Sequence, residues 1–481
     1  MSYCLWKSFD YMGSGLEVLK SLKDERFVFF LDSSLYNPQR GRYSFIGWDP
    51  FDVFESKGQN TLQILRNKFK QYQKNWRGSP EECDCPSPFP AGIVGFLGYD
   101  FGLYLENIKL RSVDDLNLPD CLFGFYDAVI TVDHAAHKLY ISSTGLPETN
   151  LLLREKRAQQ RLEQIVHKLS SLPKKIWGTF EEQFETFPDE SILSNTHRNF
   201  TKETYCEAIQ KALEYIRRGD IYQVNLSQRF TLARSPDWEQ FDAIKAYQWL
   251  RLLSSSHFGG YFDGGRFKIL SSSPERFLCL EGCQVQTLPM KGTRPRGKNF
   301  LEDKKYREEL LNSAKEKAEL LMITDLERND LGRVCEFGSI RVQEMRTIEP
   351  YRTVFQATST VEGILQEERD GFDLLSACFP GGSITGCPKI RAMEIIEELE
   401  PTRRGLYTGC LGYMTFEGNM DFNILIRTIL MCDQRIHFQV GGGIVADSIP
   451  EKEYQETLVK AKAMVQCLNQ LFTYPYSASK K

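Results

Sequence analysis

Two pairs of glutamates stand three residues apart in this 481-residue sequence, and each pair is a candidate ligand for a hard cation. Glu316 precedes Glu319, and Glu453 precedes Glu456, with Lys460 following on the same predicted helix. Side chains three or four residues apart share one helix face, so each pair can direct carboxylate oxygens at one ion such as Mg²⁺. Pairs of this kind are more often solvated surface charge. The residues alone leave both interpretations open.

A lysine occupies an unusual place in the segment QTLPMKGTRPRG. Lys291 lies between a Pro-Met dipeptide and a glycine, where a solvent-exposed lysine is not expected. A lysine in a partly apolar pocket loses its proton more readily and can act as a nucleophile. The alternative is a loop lysine beside Arg294 and Arg296, which the residues alone favour. Glu275, in the segment SPERF, is likewise a single acid in a predicted turn.

Two glycine-rich segments could bring a ligand close to the backbone. The first places Gly382 and Ser383 ahead of a helix whose first turn suits Pro388, and backbone N–H groups at such a site bind anions. It matches neither common phosphate-binding pattern, so a carboxylate ligand fits equally well. The second contains Gly441 and Gly442 after a strand-like run, where glycine permits close approach of a ligand or forms a bulge.

The elements that must position these residues alternate between helix and strand in the second half, which predicts an α+β domain. Thr204 and Glu207 predict a capping box at the start of its first helix, and Gly219 its end. Apolar and polar residues alternate from Gln223 onward, so Gln223 points away from the Val224 side of a strand. Further helical patterns run over 303–321, 388–399 and 451–471.

The length predicts one large domain or two closely joined domains. Short strand-like pieces broken by turn residues make residues 1–172 mostly sheet, ending in a charged helix. A polar, proline-containing stretch predicts a linker at 173–198, and residues 199–474 form the second domain.

Composition excludes several classes of protein. Apolar residues make up 41% and charged residues 26% of the chain, as in a folded globular protein. The net charge of −4 argues against polyanion binding as the main activity. No apolar run reaches the ~20 residues of a spanning helix. The 13 cysteines are scattered and no signal peptide opens the chain, which predicts reduced thiols in a cytoplasmic protein.

Taken together, ordered segments of the second half resemble the chorismate-utilising enzymes. The N-terminal half resembles the partner domain of that family more loosely, through FLDSS, GRYSFIG and AGIVGFLGYD. The resemblance implies the α+β chorismate-binding fold, with antiparallel sheets in a β-sandwich-like core flanked by helices. The segments of the second half are GDIYQVNLSQRF, SSSPERFL, LPMKGTRPRG, LLMITDLERNDLGRVC, FPGGSITGCPKIRAMEIIEELEP, RRGLYTGCLGYM, FNILIRT and GGGIVADSIPEKEYQETLVKAKAM.

Two positions resemble the aminodeoxychorismate synthase component I branch. Gln223 stands where members that add water to chorismate carry a lysine base, and Lys291 stands where anthranilate synthases typically have alanine. The resemblance implies amination of chorismate to 4-amino-4-deoxychorismate, a transferase reaction of the transaminase class that leads to para-aminobenzoate and folate. The alternatives are anthranilate synthase component I, in tryptophan biosynthesis, and a noncatalytic tryptophan-binding subunit.

The resemblance also implies roles for individual residues. Lys291 is the nucleophile and Glu275 protonates the departing hydroxyl group. Glu319 and Glu456 bind Mg²⁺, with Glu316 and Glu453 in supporting positions. The residues that match substrate-binding positions are Thr287, Thr293, Gly382, Ser383, Tyr407, Arg427, Gly441, Gly442 and Lys460.

Partners follow from the same resemblance. Nothing in the sequence resembles a glutaminase domain, so a separate glutamine amidotransferase subunit is implied as the source of ammonia. Gln356 stands where many relatives carry a histidine associated with pyruvate elimination, which fits a chain that stops before aromatisation. The residues that resemble a family tryptophan site are Ser33, Arg42, Tyr43 and Ser44.

Overall fold

Two antiparallel sheets, of 12 and 10 strands, form the centre of the computed structural model. The model describes residues 4–76, 84–170, 196–232, 241–352 and 354–473, and this part of the chain contains 22 strands and 11 α-helices. The predicted class, antiparallel sheets flanked by helices, is confirmed. The helices are α1 Leu16–Ser21, α2 Thr61–Trp76, α3 Tyr99–Leu105, α4 Leu151–Ser170, α5 Lys202–Arg217, α6 Ala243–Leu253, α7 Phe300–Asn312, α8 Ala314–Gly332, α9 Gly371–Cys378, α10 Lys389–Leu399 and α11 Pro450–Thr473.

Each sheet takes strands from both halves of the sequence. The larger sheet has the order β1-β8-β7-β3-β2-β11-β12-β21-β22-β10-β18, with β9 on β10, and the smaller has the order β15-β17-β14-β13-β20-β19-β5-β6-β4, with β16 on β17. The strands are β1 Leu5–Asp10, β2 Phe29–Asp32, β3 Tyr43–Gly47, β4 Asp52–Ser56, β5 Gly92–Leu97, β6 Cys121–Tyr126, β7 Ala128–Asp133, β8 Lys138–Ser143, β9 Thr196–Arg198, β10 Gln223–Leu232, β11 Phe258–Asp263, β12 Phe267–Ser273, β13 Arg276–Glu281, β14 Gln284–Thr287, β15 Met290–Pro295, β16 Arg341–Pro350, β17 Val354–Ile364, β18 Gly386–Cys387, β19 Cys410–Thr415, β20 Met420–Ile424, β21 Thr428–Cys432 and β22 Arg435–Ile444.

The two predicted halves are joined by backbone hydrogen bonds. In the larger sheet β2 pairs with β11, and in the smaller sheet β5 pairs with β19. Most of the predicted linker, up to residue 195, lies outside the described residues, and its last three residues form β9. Because buried backbone groups must be paired, each half satisfies the sheet edge of the other.

The predicted cap of α5 was placed three residues too late. Thr201 accepts a hydrogen bond from the Thr204 N–H, and the Thr204 hydroxyl accepts one from the Thr201 N–H, 2.9 Å away. Threonine thus performs the reciprocal role expected of an acid at that position, which the capping-box pattern does not include. The predicted end is confirmed, since Gly219 has a φ of +81° one residue after the C-cap.

The single helix predicted at 303–321 was also wrong. It is two helices, α7 and α8, separated at Ser313, whose ψ of 112° is extended. The Ser313 side chain accepts a hydrogen bond from the Glu316 N–H and caps α8, an alternative that serine offers in competition with a continuous helix. The break separates α8, which carries Glu316 and Glu319, from the exposed α7.

No helix in the described ranges combines the length and apolarity needed to cross a membrane. Ten cysteines of those ranges, among them the buried Cys121 and Cys378, are free thiols.

A fully buried ion pair links the sheets to the loops between them. Arg404 is 3% exposed and pairs with Glu400 at 2.8 Å. Its guanidinium also donates to the backbone oxygens of Ile384 and Asn225, and it lies over the Tyr99 ring of the first half at 4.6 Å. A buried charge is tolerated when paired and fully hydrogen-bonded, so this pair fixes the chain on either side of it.

We therefore predict that Glu400→Gln destabilises the protein by about 3–5 kcal/mol, because it leaves the Arg404 charge buried without its counterion. Chemical denaturation measures the change in the free energy of unfolding. The matched control is Glu394→Gln, which removes one partner of the more exposed pair with Arg391. That change should cost less than about 1 kcal/mol. Equal effects of the two substitutions would contradict the prediction.

Candidate functional site

Lys291 reaches into the interior from β15 at a bulge. The register of β15 shifts between Lys291 and Thr293, and Gly292 between them has a φ of +82°. The Lys291 Nζ donates to the backbone oxygen of Ser383 at 2.9 Å. Burial lowers the pKa of Lys291, nearby Lys460 lowers it further, and Glu319 opposes them. Burial therefore favours a neutral, nucleophilic amine, against the neighbouring acids, which favour the charged form.

Glu275 lies in the loop between β12 and β13 and is 4% exposed. Burial raises the pKa of Glu275 to about 7, while the Ser383 side chain and Lys291 moderate the rise. One carboxyl oxygen, Oε1, is buried without a hydrogen-bond partner. A carboxylic acid that keeps its proton near neutral pH can donate it to a leaving oxygen. Ser383 therefore accepts a hydrogen bond from the candidate nucleophile through its carbonyl oxygen, and its side chain lies beside the candidate acid without a hydrogen bond of its own.

Several buried side-chain oxygens without partners lie on the elements that carry or contact Lys291, Glu275 and the Ser383 turn. Within the described residues the surrounding structure offers no donor to these oxygens, although the interior of a folded protein normally satisfies such groups. Each lies on an element that touches Lys291, Glu275 or the Ser383 turn. Unsatisfied acceptors on several elements of one site indicate a place for a polar ligand. They are Gln223 Oε1, Glu275 Oε1, Glu316 Oε2, Glu327 Oε2 and Gln356 Oε1.

The opposite wall of the site is formed by β22 and the first residues of β10. A methyl group on Gly443 would lie 2.2 Å from the Gln223 Nε2 and 3.5 Å from the Lys291 Nζ, so only glycine lets these side chains approach. Lys460, on α11, donates to the Gly441 oxygen at 2.9 Å. A methyl group on Gly442 would have Lys460 Nζ at 3.8 Å. The predicted glycine run and Lys460 thus meet at the candidate site.

The predicted carboxylate pairs come from α8 and α11 and lie on the same side of the site. Burial raises the pKa of Glu319, and Glu316 and Glu456 raise it further, because like charges are close. Glu456 pairs with Lys460 at 2.8 Å, which lowers the pKa of Glu456. Glu453 is 8% exposed and accepts from the Ser448 hydroxyl. The structure therefore brings the four glutamates into one electrostatic neighbourhood.

The chemical type of the four glutamate side chains decides whether they could bind Mg²⁺. Carboxylate oxygens are the ligands that Mg²⁺ prefers, and a cation would relieve the repulsion that raises the pKa of Glu319. Glu316 uses one oxygen to accept from Arg294 at 2.6 Å, and its other oxygen is buried without a partner. In the described part of the chain no three His, Cys, Asp or Glu side chains meet closely enough to hold a metal. The carboxylates suit the ion in type, and the metal site stays a prediction.

The remaining predicted substrate residues differ in what surrounds their side chains. Arg427 lies within electrostatic reach of Glu275 and Tyr351, and its φ of +49° is a left-handed conformation costly for a residue with a side chain. Thr293 pairs with Gln356 in the smaller sheet. Thr287 is 2% exposed at the end of β14.

Tyr407 lies next to Arg404, whose guanidinium is 5.8 Å from the tyrosine ring, and the structure shows no hydrogen bond between its side chain and Lys291 or Glu275. Gly382 gives its N–H to Glu327 at 2.8 Å and is therefore not a free anion donor.

Sequence reasoning missed two site residues. Glu327 was hidden in ITDLERND, where it shares the buried face of α8 with Leu320 and Ile323. An acid on an apolar helix face is the signal that could have identified it. Tyr351, which follows β16, donates to the Pro274 oxygen beside Glu275. Arg40, from the first half, pairs with Glu349, which also accepts from Tyr351.

The four residues that resemble a tryptophan site divide into two pairs. Ser33 and Ser44 are buried together, where the Ser44 hydroxyl lies 2.8 Å from the His134 ring and accepts from the Ser33 N–H. Arg42 and Tyr43 stack on each other nearer the surface, and Arg42 pairs with Asp133. Binding of tryptophan there stays a prediction.

Comparison with known proteins gives concordant matches along the chain. A family model described as chorismate binding enzyme matches residues 31–466. The chain is 39% identical over 453 residues to anthranilate synthase component 1 of Thermus thermophilus, with 93% of each chain covered. It is 37% identical over 447 residues to aminodeoxychorismate synthase component 1 of Bacillus subtilis, covering 90% of this chain and 91% of the relative. The solved structure of anthranilate synthase component I from Streptococcus pneumoniae has a TM-score of 0.73 at 30% identity, covering 90% of this chain and 94% of that one.

Burial of Glu275 generates a prediction about stability. Burial raises the pKa of Glu275 to about 7 in the folded protein, from the ordinary 4.5 that applies to the unfolded chain. Between these two pH values the folded state therefore binds more protons than the unfolded state. Stability contributed by this group is present at low pH and is lost as the pH rises through that window, by at most about 1.4 kcal/mol per pH unit. Glu275→Gln should therefore gain stability relative to wild type between pH 5 and 7, measured by urea denaturation. Parallel curves for the two proteins would show that Glu275 is ionised in the folded state.

Proposed function

Because the chain belongs to the family of chorismate binding enzymes, we propose that it is component I of an aminodeoxychorismate synthase, converting chorismate and ammonia to 4-amino-4-deoxychorismate. One observation carries the proposal: the Lys291 amine and the Glu275 carboxyl are held against the same residue, Ser383. Burial lowers the pKa of the amine and raises that of the acid. This is the arrangement needed for a nucleophile to add while a hydroxyl group departs.

The first step is addition of the Lys291 nitrogen to carbon 2 of chorismate. The ring double bonds shift, the bond from carbon 4 to its hydroxyl breaks, and Glu275 donates the proton with which the oxygen leaves as water. The amine nitrogen then returns a proton to the Glu275 carboxylate. Glu275 is thereby protonated again for the next transfer, while the Lys291 nitrogen stays bonded to carbon 2 as a neutral secondary amine.

In the second step ammonia adds at carbon 4, the double bonds shift back, and the bond between carbon 2 and the Lys291 nitrogen breaks as Glu275 protonates that nitrogen. The new ammonium group at carbon 4 then returns a proton to the Glu275 carboxylate. The sum is chorismate plus ammonia giving 4-amino-4-deoxychorismate plus water. Gln223 supports ammonia rather than water as the nucleophile, because an amide is not a base that could activate water. Its Oε1, buried without a partner, is an acceptor for an N–H group.

Substrate carboxylates would bind on both sides of these groups. Arg427 suits a planar carboxylate, and its burial strengthens such a contact. We propose that Glu319 and Glu456 would hold Mg²⁺, with Glu316 and Glu453 in support. The ion, when bound, supplies positive charge for the ring carboxylate of chorismate.

A separate glutamine amidotransferase subunit is proposed as the source of ammonia. The main competing function is anthranilate synthase, because relatives of both names match most of the chain. The deciding experiment supplies chorismate, ammonium and Mg²⁺ and identifies the product by mass, with and without an added aminodeoxychorismate lyase. We expect 4-amino-4-deoxychorismate, converted to para-aminobenzoate only when the lyase is present. Anthranilate formed without the lyase would overturn the proposal.

The covalent role of Lys291 can be tested directly. Wild type denatured during turnover without ammonia should carry a mass increment on the peptide that contains Lys291, and Lys291→Ala should lose it. Lys291→Ala should retain slow direct amination, since ammonia can attack the same carbon skeleton. The control is Lys298→Ala, at an exposed lysine beyond β15. Absence of the increment together with full activity of Lys291→Ala would reduce Lys291 to a pocket charge.

The metal role of Glu456 predicts a shift in Mg²⁺ dependence. Glu456→Gln should need more Mg²⁺ for half-maximal rate, because a neutral amide is a poorer ligand for a hard cation. Glu451→Gln is the matched control, an exposed glutamate in the first turn of the same helix. It should titrate as wild type. An unchanged Mg²⁺ titration for Glu456→Gln would exclude this residue as a ligand.

A further inference from the structure

Glu327 is a buried acid that the reaction outlined above does not use. It lies on α8 and is 2% exposed. Burial raises the pKa of Glu327 to about 8, and the neighbouring Asp330 raises it further. A buried carboxyl normally needs a counterion and full hydrogen bonding, yet the Glu327 Oε2 has no partner in the described structure. Its place in the fold therefore calls for a reason other than stability.

The nearest buried cation is already engaged. Lys389, at the start of α10, pairs with Asp330 and donates to the backbone oxygens of Cys378 and Pro380. An ammonium group has three donors, so these contacts use all of them. Glu327 makes no ion pair with it, and the burial of its carboxyl raises its pKa despite the nearby lysine.

One contact of Glu327 points at the candidate site. Its Oε1 accepts a hydrogen bond from the Gly382 N–H at 2.8 Å. A methyl group on Gly382 would lie 2.6 Å from the Leu326 Cδ2 and 3.0 Å from the Glu327 Oε1, so the backbone is pressed directly against α8. The next residue, Ser383, accepts from the Lys291 Nζ and lies against Glu275. A single peptide unit therefore separates the Glu327 contact from the nucleophile.

Other groups hold the carbonyl oxygens around this turn. Lys389 holds the Pro380 oxygen, Arg404 holds the Ile384 oxygen, and the Thr385 hydroxyl donates to the Gly381 oxygen. The Ser383 oxygen is the one that receives Lys291. Glu327 instead accepts from an N–H group of the turn, so the turn is held through its N–H side as well as through its carbonyl oxygens.

We propose that Glu327 is a positioning residue which, through the Gly382 N–H, sets the place of the Ser383 carbonyl and thereby aligns the Lys291 amine with Glu275. The inference rests on the proposed function in taking chorismate as the substrate and Lys291 and Glu275 as the reacting groups. The proposed role requires a side chain long enough to place an acceptor oxygen at the Gly382 N–H, and it does not require a negative charge. Glutamine meets that requirement and methionine, of similar length, does not.

The test compares Glu327→Met and Glu327→Gln with a matched pair at Glu397. Glu397 is also buried and accepts backbone N–H groups, from Arg111 and Ser112, on the side of α10 that contacts the first half. The measured quantity is the rate of chorismate loss at saturating ammonium and Mg²⁺, whatever the product. Glu327→Met should lower kcat by about 10- to 100-fold, as misplacement of a reacting group does. Its KM for chorismate should change by less than about threefold, since other elements bind the substrate.

Rescue separates positioning from the alternatives. Glu327→Gln should keep a kcat within about threefold of wild type. Both Glu397 variants should also keep a kcat within about threefold of wild type, when the rate is divided by the concentration of folded protein. A Glu327→Gln variant as slow as Glu327→Met would show that Glu327 acts through its proton, and equal rates for the methionine variants at the two sites would show a structural role only. Either result overturns the inference. If the product is anthranilate, the proposed function fails while the inference is still tested.

A measurement on wild type covers the case in which Glu327→Met does not fold. The Gly382 amide should exchange with solvent deuterium far more slowly than an open loop amide, because it donates to a buried carboxyl. The exposed glycine turn at Gly338, with a φ of +77°, is the internal reference. Fast exchange at Gly382, equal to that at Gly338, would show that Glu327 does not hold the turn.

Discussion

The candidate site depends on keeping two titratable groups neutral beside each other. In the proposed reaction Lys291 must give up its proton and Glu275 must keep one, although placing an amine next to an acid ordinarily favours the ionised pair. Burial outweighs that attraction, since it lowers the pKa of Lys291 and raises that of Glu275. Any opening of the pocket to water would weaken both shifts together. The same residues would then form an ion pair with neither a nucleophile nor a proton donor.

Around this pocket two other buried cations are neutralised in ion pairs. Arg404 is neutralised by Glu400 and Lys389 by Asp330, and all four are almost fully buried. Their remaining donors bind backbone oxygens on both sides of the Ser383 turn. Each cation therefore hydrogen-bonds to the loop while paired with a carboxylate. Because of this pairing, the two cations add little positive potential at the candidate site. This division leaves the turn rigid and its interior face uncharged.

The first half of the chain takes part in the same arrangement. Arg40, in the loop before β3, pairs with Glu349 at the end of β16, and Glu349 accepts from the Tyr351 hydroxyl. Tyr351 also donates to the backbone oxygen of Pro274, the residue before Glu275. The acid is thus supported from the first half and the amine from α8, so both sheets must be assembled before the two groups are aligned. Strand pairing between the halves makes that assembly cooperative.

Sequence reasoning was strongest where side-chain type alone limits the choices. The α+β class follows from periodicity, whereas the roles of Lys291, Glu275 and the paired glutamates were assigned by resemblance to the chorismate-utilising enzymes, because the residues alone left them ordinary. It failed where one hydroxyl decides a boundary, as at Thr201 and Ser313, because a serine or threonine that favours a cap is also found within helices, and the local pattern does not show which one caps. It failed again at Glu327, where burial is set by the long-range approach of Gly382 to α8. A local pattern marks which residues can do chemistry. Which of them lose water, and so change their pKa, is decided by contacts between residues far apart in the sequence.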